Sequence, residues 1–362
     1  MTGAADPIDP DALRARPAPA FVAPSDRVTL VEIAAHAGVS RATVSLVLRD
    51  SPLVRAETRR RVQESISALN YVYDRGAARM RGKHSRTVGV VIVDLTSSFF
   101  AELLAGVDAA LDRAGLIAFV ANTGEDIARQ GRVLARFREQ AVDGVIFCPA
   151  EGATPDLLLG PSRRGLPCVQ ALRHVAGAGT DFVGADNRLG TGLATRHLIA
   201  YGHRAIAFVG GGADTSVARD RQAGYVEAMR AAGLVPRLLT CPNTRAAAAA
   251  RVRAALTEAS PPTGLVCFND PTAMGAMLAV HQAGLAPGGD VAIVGFDGID
   301  DSALTYPALS SVAIRPSALG AAAAEQLLAR LARPEAAPAE IVMTPELLVR
   351  ASSGAPRGSA RP

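Results

Sequence analysis

Short apolar runs recur along the chain from Thr87 onward, and stretches with helical spacing separate them. The runs are Val88–Val93, Ile117–Ala121, Gly144–Phe147, Cys168–Ala171, Ala205–Val209, Gly264–Phe268 and Val291–Gly295. Strands that alternate with helices in this way form parallel sheets with helices on both faces. About nine or ten such strands fit this part of the chain, which predicts two sheets and therefore two lobes.

The N-terminal part of the chain has a different pattern. Residues 1–26 are rich in Ala, Pro and Asp, which predicts a disordered arm. Thr29 and Glu32 then have the spacing of a capping box and predict the start of a short apolar helix that ends at Gly38. Ser40 is expected to cap a second short helix.

A third helix is predicted from about Ala56 to Leu69. Its apolar residues recur at i, i+4 and i+7: Val62, Ile66 and Leu69. The three helices define a unit of residues 27–72. At the other end of the chain, residues 353–362 are rich in Gly, Ser, Pro and Arg and are predicted to be frayed, without the heptads of a coiled coil.

Two short helices joined by a glycine turn are typical of a helix-turn-helix, whose second helix enters the DNA major groove. Small residues allow the helices to cross closely: Ala34, Ala35 and Ala37. Base reading is expected from Arg41, Ala42 and Ser45 on the outward face of the second helix. Phosphate contacts are expected from Thr29, Ser40, Thr43 and Arg49. A helix pair with a purely structural role is the alternative.

Charge is distributed unevenly along the chain. The whole chain has a net charge of +4, but residues 27–86 hold 12 Arg or Lys against 5 Asp or Glu. The remainder is close to neutral. A basic segment of this kind favours a polyanionic partner such as DNA, although a solvated basic face is an equal alternative on charge alone.

Other patterns exclude several classes of protein. No apolar run reaches the roughly 18–20 residues that span a bilayer, and the N-terminus lacks the order of a secretory signal. A cytoplasmic, nucleoid-associated protein without membrane contact is therefore expected. The four cysteines are far apart in the sequence, which favours reduced thiols over zinc or disulfides.

Enzyme motifs are missing from the sequence. Val209–Gly212 follows a predicted strand, but Thr215 stands where a dinucleotide-binding loop needs its last glycine. No Walker A or Gly-x-Ser-x-Gly sequence occurs. The histidines are dispersed, and His203 is expected to be structural. Neither a cofactor nor a metal is expected, and no catalytic residue is assigned.

Several predicted strands end in a polar side chain: Asp94, Asn122, Asp186, Asn269 and Asp297. Ligands of open α/β sheets bind beyond the carboxyl ends of the strands, so these side chains are expected to face a shared cleft. Carboxylates and amides suit a small polyhydroxylated or heterocyclic ligand. For any one of them, loop capping is an equally good interpretation.

The N-terminal motifs together resemble one family. Thr29 to Ser45, Leu69-Asn70-Tyr71, and Arg75 to Lys83 are similar to the head and hinge of the LacI/GalR repressors. The resemblance implies that residues 73–86 fold as a hinge helix in the minor groove, and that Tyr71 contacts the DNA backbone. Met80 is then the wedge between base pairs and Ala77 faces the partner hinge. Leu46 and Arg49 depart from the family pattern. Without the resemblance, residues 74–86 are a basic linker.

The resemblance continues over Thr87–Gly354. It implies an all-α helix-turn-helix head followed by an α/β domain of two lobes, each with a parallel sheet, like a periplasmic sugar-binding protein. The first lobe comprises about 87–185 and 315–333, and the second about 186–314 and 334–352.

The family's effector-binding positions fall on Phe99, Phe100, Arg221, Asn269 and Asp297, with Asn122 and Asp186 added from the strand ends. A plain core role for the two phenylalanines is the alternative.

These expectations define a homodimeric repressor that is not an enzyme. Its partners are a near-palindromic operator and a small effector, expected to be sugar-like, that alters operator affinity. One alternative is a sugar-binding receptor or transport component with the same lobes. Another is a sugar- or nucleoside-modifying enzyme, for which no general acid or nucleophile is found.

Overall fold

The computed structural model describes residues 28–48, 51–71, 85–163 and 165–355. Contacts divide the chain into residues 1–83 and 84–362, called here the head and the sensor. The division falls inside the predicted hinge. The predicted disordered arm, Arg49, Ala77 and Met80 lie outside the described residues, so those predictions stand as made.

The described head consists of three helices, as predicted: α1 (Leu30–Ala37), α2 (Arg41–Val47) and α3 (Ala56–Ala68). Their core contains Ile33, Val44 and Val62, each fully buried. The axes of α1 and α2 are bent by 98° relative to each other, the steep crossing of a helix-turn-helix. No single helix in the described ranges is long and apolar enough to cross a membrane; α1 and α2 pass that test only when counted as one broken span.

The first lobe of the sensor is built on a parallel sheet of six strands in the order β11-β5-β4-β3-β1-β2. The strands are β1 (Thr87–Ile92), β2 (Ile117–Asn122), β3 (Gly144–Phe147), β4 (Cys168–Ala171), β5 (Asp181–Ala185) and β11 (Glu340–Met343). The central strands are buried on both faces, which is why they are continuous apolar runs in the sequence.

The second lobe contains a six-stranded sheet in the order β12-β10-β9-β8-β6-β7. Its strands are β6 (Ile206–Val209), β7 (Arg237–Leu239), β8 (Gly264–Cys267), β9 (Ala292–Asp297), β10 (Ser310–Ala313) and β12 (Glu346–Leu348). The prediction of a wholly parallel sheet is wrong at one edge, where β12 runs antiparallel to β10. Since two residues separate β11 from β12, the chain keeps its direction as it crosses between lobes and enters the second sheet at its carboxyl edge.

Helices cover both faces of each sheet. Those of the first lobe are α4 (Ser98–Arg113), α5 (Ile127–Glu139), α6 (Pro155–Arg163) and α11 (Pro316–Ala332). Those of the second lobe are α7 (Asn187–Ala200), α8 (Ser216–Ala231), α9 (Arg245–Leu256) and α10 (Asp270–Gln282), with a short 3-10 helix at Asp300–Leu304. Helices α4 and α11 approach so closely that a Cβ on Gly106 would lie 1.9 Å from the Ser317 carbonyl oxygen. That contact therefore requires glycine.

The chain crosses between the lobes three times, after β5, after β10 and after β11. The boundary expected at residue 334 does not hold for the last crossing, since β11 pairs with β5 and residues 340–343 belong to the first lobe. An edge strand of four residues gives a weak sequence signal because it is short and largely exposed.

The C-terminal segment is packed, so the predicted fraying is wrong for residues 353–355. Ser352 and Ser353 are buried, and the Ser352 hydroxyl donates to the Ile293 carbonyl at 2.7 Å. The His203 ring lies 3.0 Å from the Thr263 hydroxyl and 2.9 Å from the Gly354 carbonyl oxygen. The structural role expected for His203 is therefore confirmed.

A second histidine holds the same segment, because the His197 ring lies 2.9 Å from the Ser353 hydroxyl. Burial lowers the pKa of both rings, and hydrogen bonds to the C-terminal segment oppose that effect only in part. As the pH falls, the two histidines of the unfolded chain therefore become protonated at a higher pH than those of the folded chain. The resulting stabilisation is complete above the ordinary histidine pKa, near ~6.5, and is lost as the pH falls through the lowered pKa of the folded state.

We therefore expect the free energy of unfolding to fall more steeply between pH 8 and pH 5 in the unmodified chain than in a His197→Gln/His203→Gln variant. The slope is at most about 1.4 kcal/mol per pH unit for each histidine. Urea unfolding at several pH values measures it. The variant retains every buried carboxyl group, so equal slopes in the two proteins would contradict the assignment.

Candidate DNA-reading head and effector cleft

The start of α1 is the predicted capping box. The Thr29 hydroxyl accepts a hydrogen bond from the Glu32 amide at 3.3 Å and donates to the Glu32 carboxylate at 2.8 Å. That carboxylate also accepts from the Thr29 amide at 2.6 Å, the main reason why the pKa of Glu32 is lowered. The box fixes where α1 begins. A phosphate contact by Thr29 stays a prediction.

Helix α2 presents the predicted base-reading residues on its first turns. The Ser40 hydroxyl caps the helix by accepting from the Thr43 amide at 3.1 Å. Arg41 and Ala42 are exposed, and Ser45 is half-buried. The opposite side of the helix packs into the head core. The first turn of α2 thus leaves a guanidinium and a methyl group clear of the protein, as insertion into a groove requires.

One basic residue of the head has a structural role that the sequence does not indicate. The Arg61 guanidinium, on α3, donates to the carbonyl oxygens of Ala37 and Gly38 at 2.8 and 3.2 Å. It thereby satisfies carbonyls at the end of α1, where Gly38 has a φ of 61°. Part of the positive charge attributed to DNA binding therefore holds the helix-turn-helix corner.

In the second lobe the candidate site is centred on Arg221, which is 2% exposed. Its guanidinium donates to Asn187 Oδ1 at 2.9 Å and to the Phe268 carbonyl, and Nη2 donates to Asp297 Oδ1 at 3.0 Å. The ring centroid of Phe296 lies 3.6 Å from Arg221 Cζ. Burial lowers the pKa of Arg221 and Asp297 raises it. Polar partners and an aromatic face thus surround one cation, which stabilises its charge in a buried site.

Asp297 occupies a strained position at the end of β9, with a φ of 109°. Burial raises the pKa of its carboxyl group to about 6, against the effect of Arg221. The turn after it is held by two buried side chains. The Gly298 amide donates to the Ser311 hydroxyl at 3.1 Å, and the Ile299 amide donates to Asp270 Oδ2 at 3.0 Å.

Asp270, which follows Asn269 in the chain, is a fully buried residue of the same site. Its Oδ1 accepts from the Ser311 hydroxyl at 2.5 Å. Burial, and then the charge of Asp297, raises its pKa to about 8. The residue lies beneath the turn that carries Asp297 and holds that turn in place. The sequence contains no signal for this, because the contact joins α10 to β10 across the sheet.

Two predicted effector residues are helix caps. Asn269 Oδ1 accepts from the Thr272 amide at 2.9 Å, and Asp186 Oδ1 accepts from the Leu189 amide at 2.8 Å. The capping interpretation therefore accounts for both, and a ligand contact by either stays a prediction. Asn187, which was not predicted, is the residue in contact with Arg221.

The first lobe contributes fewer predicted residues to the cleft. Phe99 and Phe100 are 5% and 6% exposed and form an edge-to-face pair inside the core, as the alternative interpretation expected. Asn122, at the end of β2, is half-buried. Its Oδ1 is buried and has no hydrogen-bond partner within the described ranges. An orphaned acceptor is costly unless a donor binds it.

Two groups of hydrogen bonds join the lobes. In the first, Glu102 of α4 accepts from the Asp300 amide at 3.1 Å and the Ser98 hydroxyl donates to Asp301 at 3.0 Å. The second group includes Glu151, which accepts from the Asp214 amide at 2.7 Å. In both groups a glutamate of the first lobe accepts a hydrogen bond from a backbone amide of the second lobe.

A cavity of about 220 Å³ lies between the lobes beside the second group of hydrogen bonds. Its lining includes Ala150, Arg173, His174, Asp214, Ser216 and Arg219. Arg173 forms two hydrogen bonds to Glu125, at 2.8 and 2.9 Å. The cavity and the buried pair share helix α8, since Ser216 and Arg219 line the cavity and Arg221 follows them in that helix. The cavity and the pair, with Glu102 and Asn122, are called here the cleft.

A helix-turn-helix followed by two lobes that enclose a polar cleft defines a class of protein: a DNA-binding regulator with a small-molecule domain. Sequence profiles agree with both parts. The profile described as "Bacterial regulatory proteins, lacI family" matches residues 29–74, and that of a "Periplasmic binding protein-like domain" matches residues 195–353.

Full-length relatives give the family. The chain is 31% identical over 329 residues to the HTH-type transcriptional repressor PurR of Aliivibrio fischeri, which covers 90% of this chain and 98% of that protein. It is 32% identical over 270 residues to the maltose regulon regulatory protein MalI of Escherichia coli, covering 74% and 79%. The crystal structure of the lac repressor dimer bound to operator and the anti-inducer ONPF superimposes with a TM-score of 0.82 at 25% identity, covering 91% and 100%.

The chain belongs to the LacI family of bacterial transcriptional regulators, which are DNA-binding proteins with an effector domain and not enzymes. The resemblance seen in the sequence, the fold class and the non-enzymatic class are thereby confirmed. In the described part of the chain, no three His, Cys, Asp or Glu side chains are grouped so that they could hold a metal ion.

The role of Arg61 leads to a prediction about the head. Arg61→Ala should destabilise it by about 1–2 kcal/mol, because the carbonyls at the end of α1 lose a charged donor. In the full chain, amide hydrogen exchange in α1 and α2 should become about 5- to 30-fold faster. Arg60→Ala is the matched control, since Arg60 makes only an exposed ion pair with Glu64. Equal effects of the two substitutions would contradict the role of Arg61.

Proposed function

We propose that this regulator is a repressor that binds a near-palindromic operator as a homodimer, with its affinity controlled by a sugar or sugar derivative in the cleft. The observation that supports this most directly is the buried Arg221–Asp297 pair, which lies at the carboxyl edge of one sheet and faces the other lobe. Such a protein acts on chromosomal DNA, and therefore in the bacterial cytoplasm.

In the proposed complex, Arg41, Ala42 and Ser45 read base edges from the first turns of α2. The exposure of Arg41 and Ala42 supports this assignment. Ser40, Thr43 and Tyr71 are assigned to the DNA backbone. The hinge, with Ala77 and Met80 in the minor groove, is proposed on the family resemblance.

The proposed effector contacts are Asp297, Arg221 and Asn122. Carboxylate, guanidinium and amide groups together offer the donors and acceptors that sugar hydroxyls require. Asn122 Oδ1, a buried acceptor without a hydrogen-bond partner in the described residues, is proposed to accept from a ligand hydroxyl. The relative MalI is named for a maltose regulon, which supports a sugar as the ligand.

A physical route from ligand to lobe geometry is present in the turn after β9. Asp297 is held against Arg221, and three residues later the Asp300 amide bonds to Glu102 of the other lobe. A ligand that competes for Asp297 alters this turn and with it a contact between lobes. The coupling is therefore the difference in ligand affinity between two lobe arrangements.

Exposed apolar side chains support the homodimer. Ile117 is 60% exposed on edge strand β2 of the first lobe. Leu304 and Tyr306 of the second lobe are 83% and 99% exposed. Leu304 ends the 3-10 helix that bonds to α4, Tyr306 lies two residues beyond it, and Ile117 begins β2. Exposed apolar side chains of this size, where they form a patch, mark protein–protein contacts.

Arg41→Ala tests base reading. The variant should lose about tenfold or more of its preference for operator over scrambled DNA, because one bidentate base contact contributes about 1–3 kcal/mol of discrimination. Salt-sensitive nonspecific binding should persist. Fluorescence anisotropy on both DNAs measures the ratio. Arg60→Ala removes the same charge from the head and should keep the preference; an unchanged ratio in Arg41→Ala would refute the assignment.

Asp297→Asn tests the cleft. Compounds that raise the melting temperature of the full chain are first selected from sugars, sugar derivatives and purines. The variant, which keeps an acceptor for Arg221, should bind the selected compound at least about tenfold more weakly and lose its effect on operator affinity. Asp300→Asn removes the same charge three residues away and should respond normally. A normal response by Asp297→Asn would place the effector elsewhere.

A further inference from the structure

The arginines of the cleft are all paired with carboxylates. Among the described residues, three arginines reach it: Arg173, Arg219 and Arg221. Arg173 pairs with Glu125 through two hydrogen bonds, Arg219 pairs with Asp214, and Arg221 pairs with Asp297. Two of the three are also desolvated, since the Arg173 and Arg221 side chains are 16% and 3% exposed.

The cleft contains two further carboxylates. Glu102 and Glu151 each accept a hydrogen bond from a backbone amide of the second lobe. Neither has an arginine partner among the described ion pairs. The charge of Glu102 also acts on Asp297 and raises its pKa. Carboxylates therefore outnumber arginines in the cleft by two, at positions where the lobes meet.

We propose that the cleft selects an effector without negative charge, a neutral or amine-bearing polyhydroxylated compound, and rejects phosphorylated or carboxylated forms of the same compound. The inference rests on the proposed effector site and specifies the chemistry of its ligand.

An anionic ligand would have to take an arginine from its carboxylate. For Arg221 this leaves Asp297, whose side chain is 8% exposed, charged and without its counter-ion in a poorly hydrated place. Glu125 is more exposed, so at Arg173 the cost comes from the next effect. The displaced carboxylate would also lie close to the anion that replaced it, and like charges at short range are strongly unfavourable. A hydroxyl group, by contrast, can donate to a carboxylate and accept from an arginine without breaking either pair.

The first test compares matched ligands on the full chain. Glucose, glucosamine, fructose and ribose are titrated against glucose 6-phosphate, glucosamine 6-phosphate, fructose 6-phosphate and ribose 5-phosphate, with gluconate as the carboxylate form of glucose, by calorimetry at constant ionic strength. Any sugar that binds should do so at least about tenfold more tightly than its anionic counterpart. Tighter binding of a phosphate or carboxylate form would overturn the proposal.

The second test needs no identified effector. Inorganic phosphate is titrated against the unmodified chain and against Glu125→Gln, which frees Arg173 without changing side-chain shape. Saturable phosphate binding, seen as a rise in melting temperature over chloride at equal ionic strength, is expected in Glu125→Gln alone. Glu139→Gln, which frees Arg136 on the surface of α5, is the matched control and should gain nothing.

The outcomes of the two tests are separable. Saturable phosphate binding by the unmodified chain, lost in Arg173→Gln, overturns the proposal. Failure of Glu125→Gln to gain binding overturns the assignment of anion rejection to the Arg173–Glu125 pair. If phosphate behaves as expected but no sugar or amine-bearing sugar binds, the sugar effector of the proposed function fails while anion rejection is supported.

Discussion

The sensor depends on one buried interaction, the pair between Arg221 and Asp297. A guanidinium so poorly exposed would be unfavourable without counter-charge, and a single carboxylate would not satisfy its donors. The protein meets this need with three acceptors from three elements, α7, β8 and β9, and with an aromatic ring against the guanidinium plane. The pair therefore fixes the carboxyl ends of β8 and β9 relative to the start of α7.

The support beneath that pair explains why the cleft tolerates strain. The positive φ of Asp297 costs free energy in a residue that is not glycine. Asp270 and Ser311, both inaccessible to solvent, offset it by hydrogen bonds to the two amides that follow. The polar residues of the site therefore form two levels, the Arg221–Asp297 pair and the residues beneath it that hold the turn in position.

Sequence reasoning was most accurate where a local rule applies. The capping box, the glycine corner and the apolar strand runs each depend on a few neighbouring residues, and each lies where the pattern indicated. The cleft depends on contacts between residues distant in sequence. A strand-end rule selected Asp297 but could not predict its pairing with Arg221, nor separate helix caps such as Asn269 from ligand-facing groups. Charge counting likewise could not assign Arg61 to the helix corner.

The three crossings between the lobes have a mechanical consequence. A single linker would leave one lobe free to swivel about it, whereas three strands of backbone side by side resist both twisting and separation. The motion that the three crossings resist least is bending of one lobe against the other, about the line that joins the crossings. The cleft lies on one side of that line. An effector bound in the proposed site would therefore act on a rotation whose axis the covalent chain fixes.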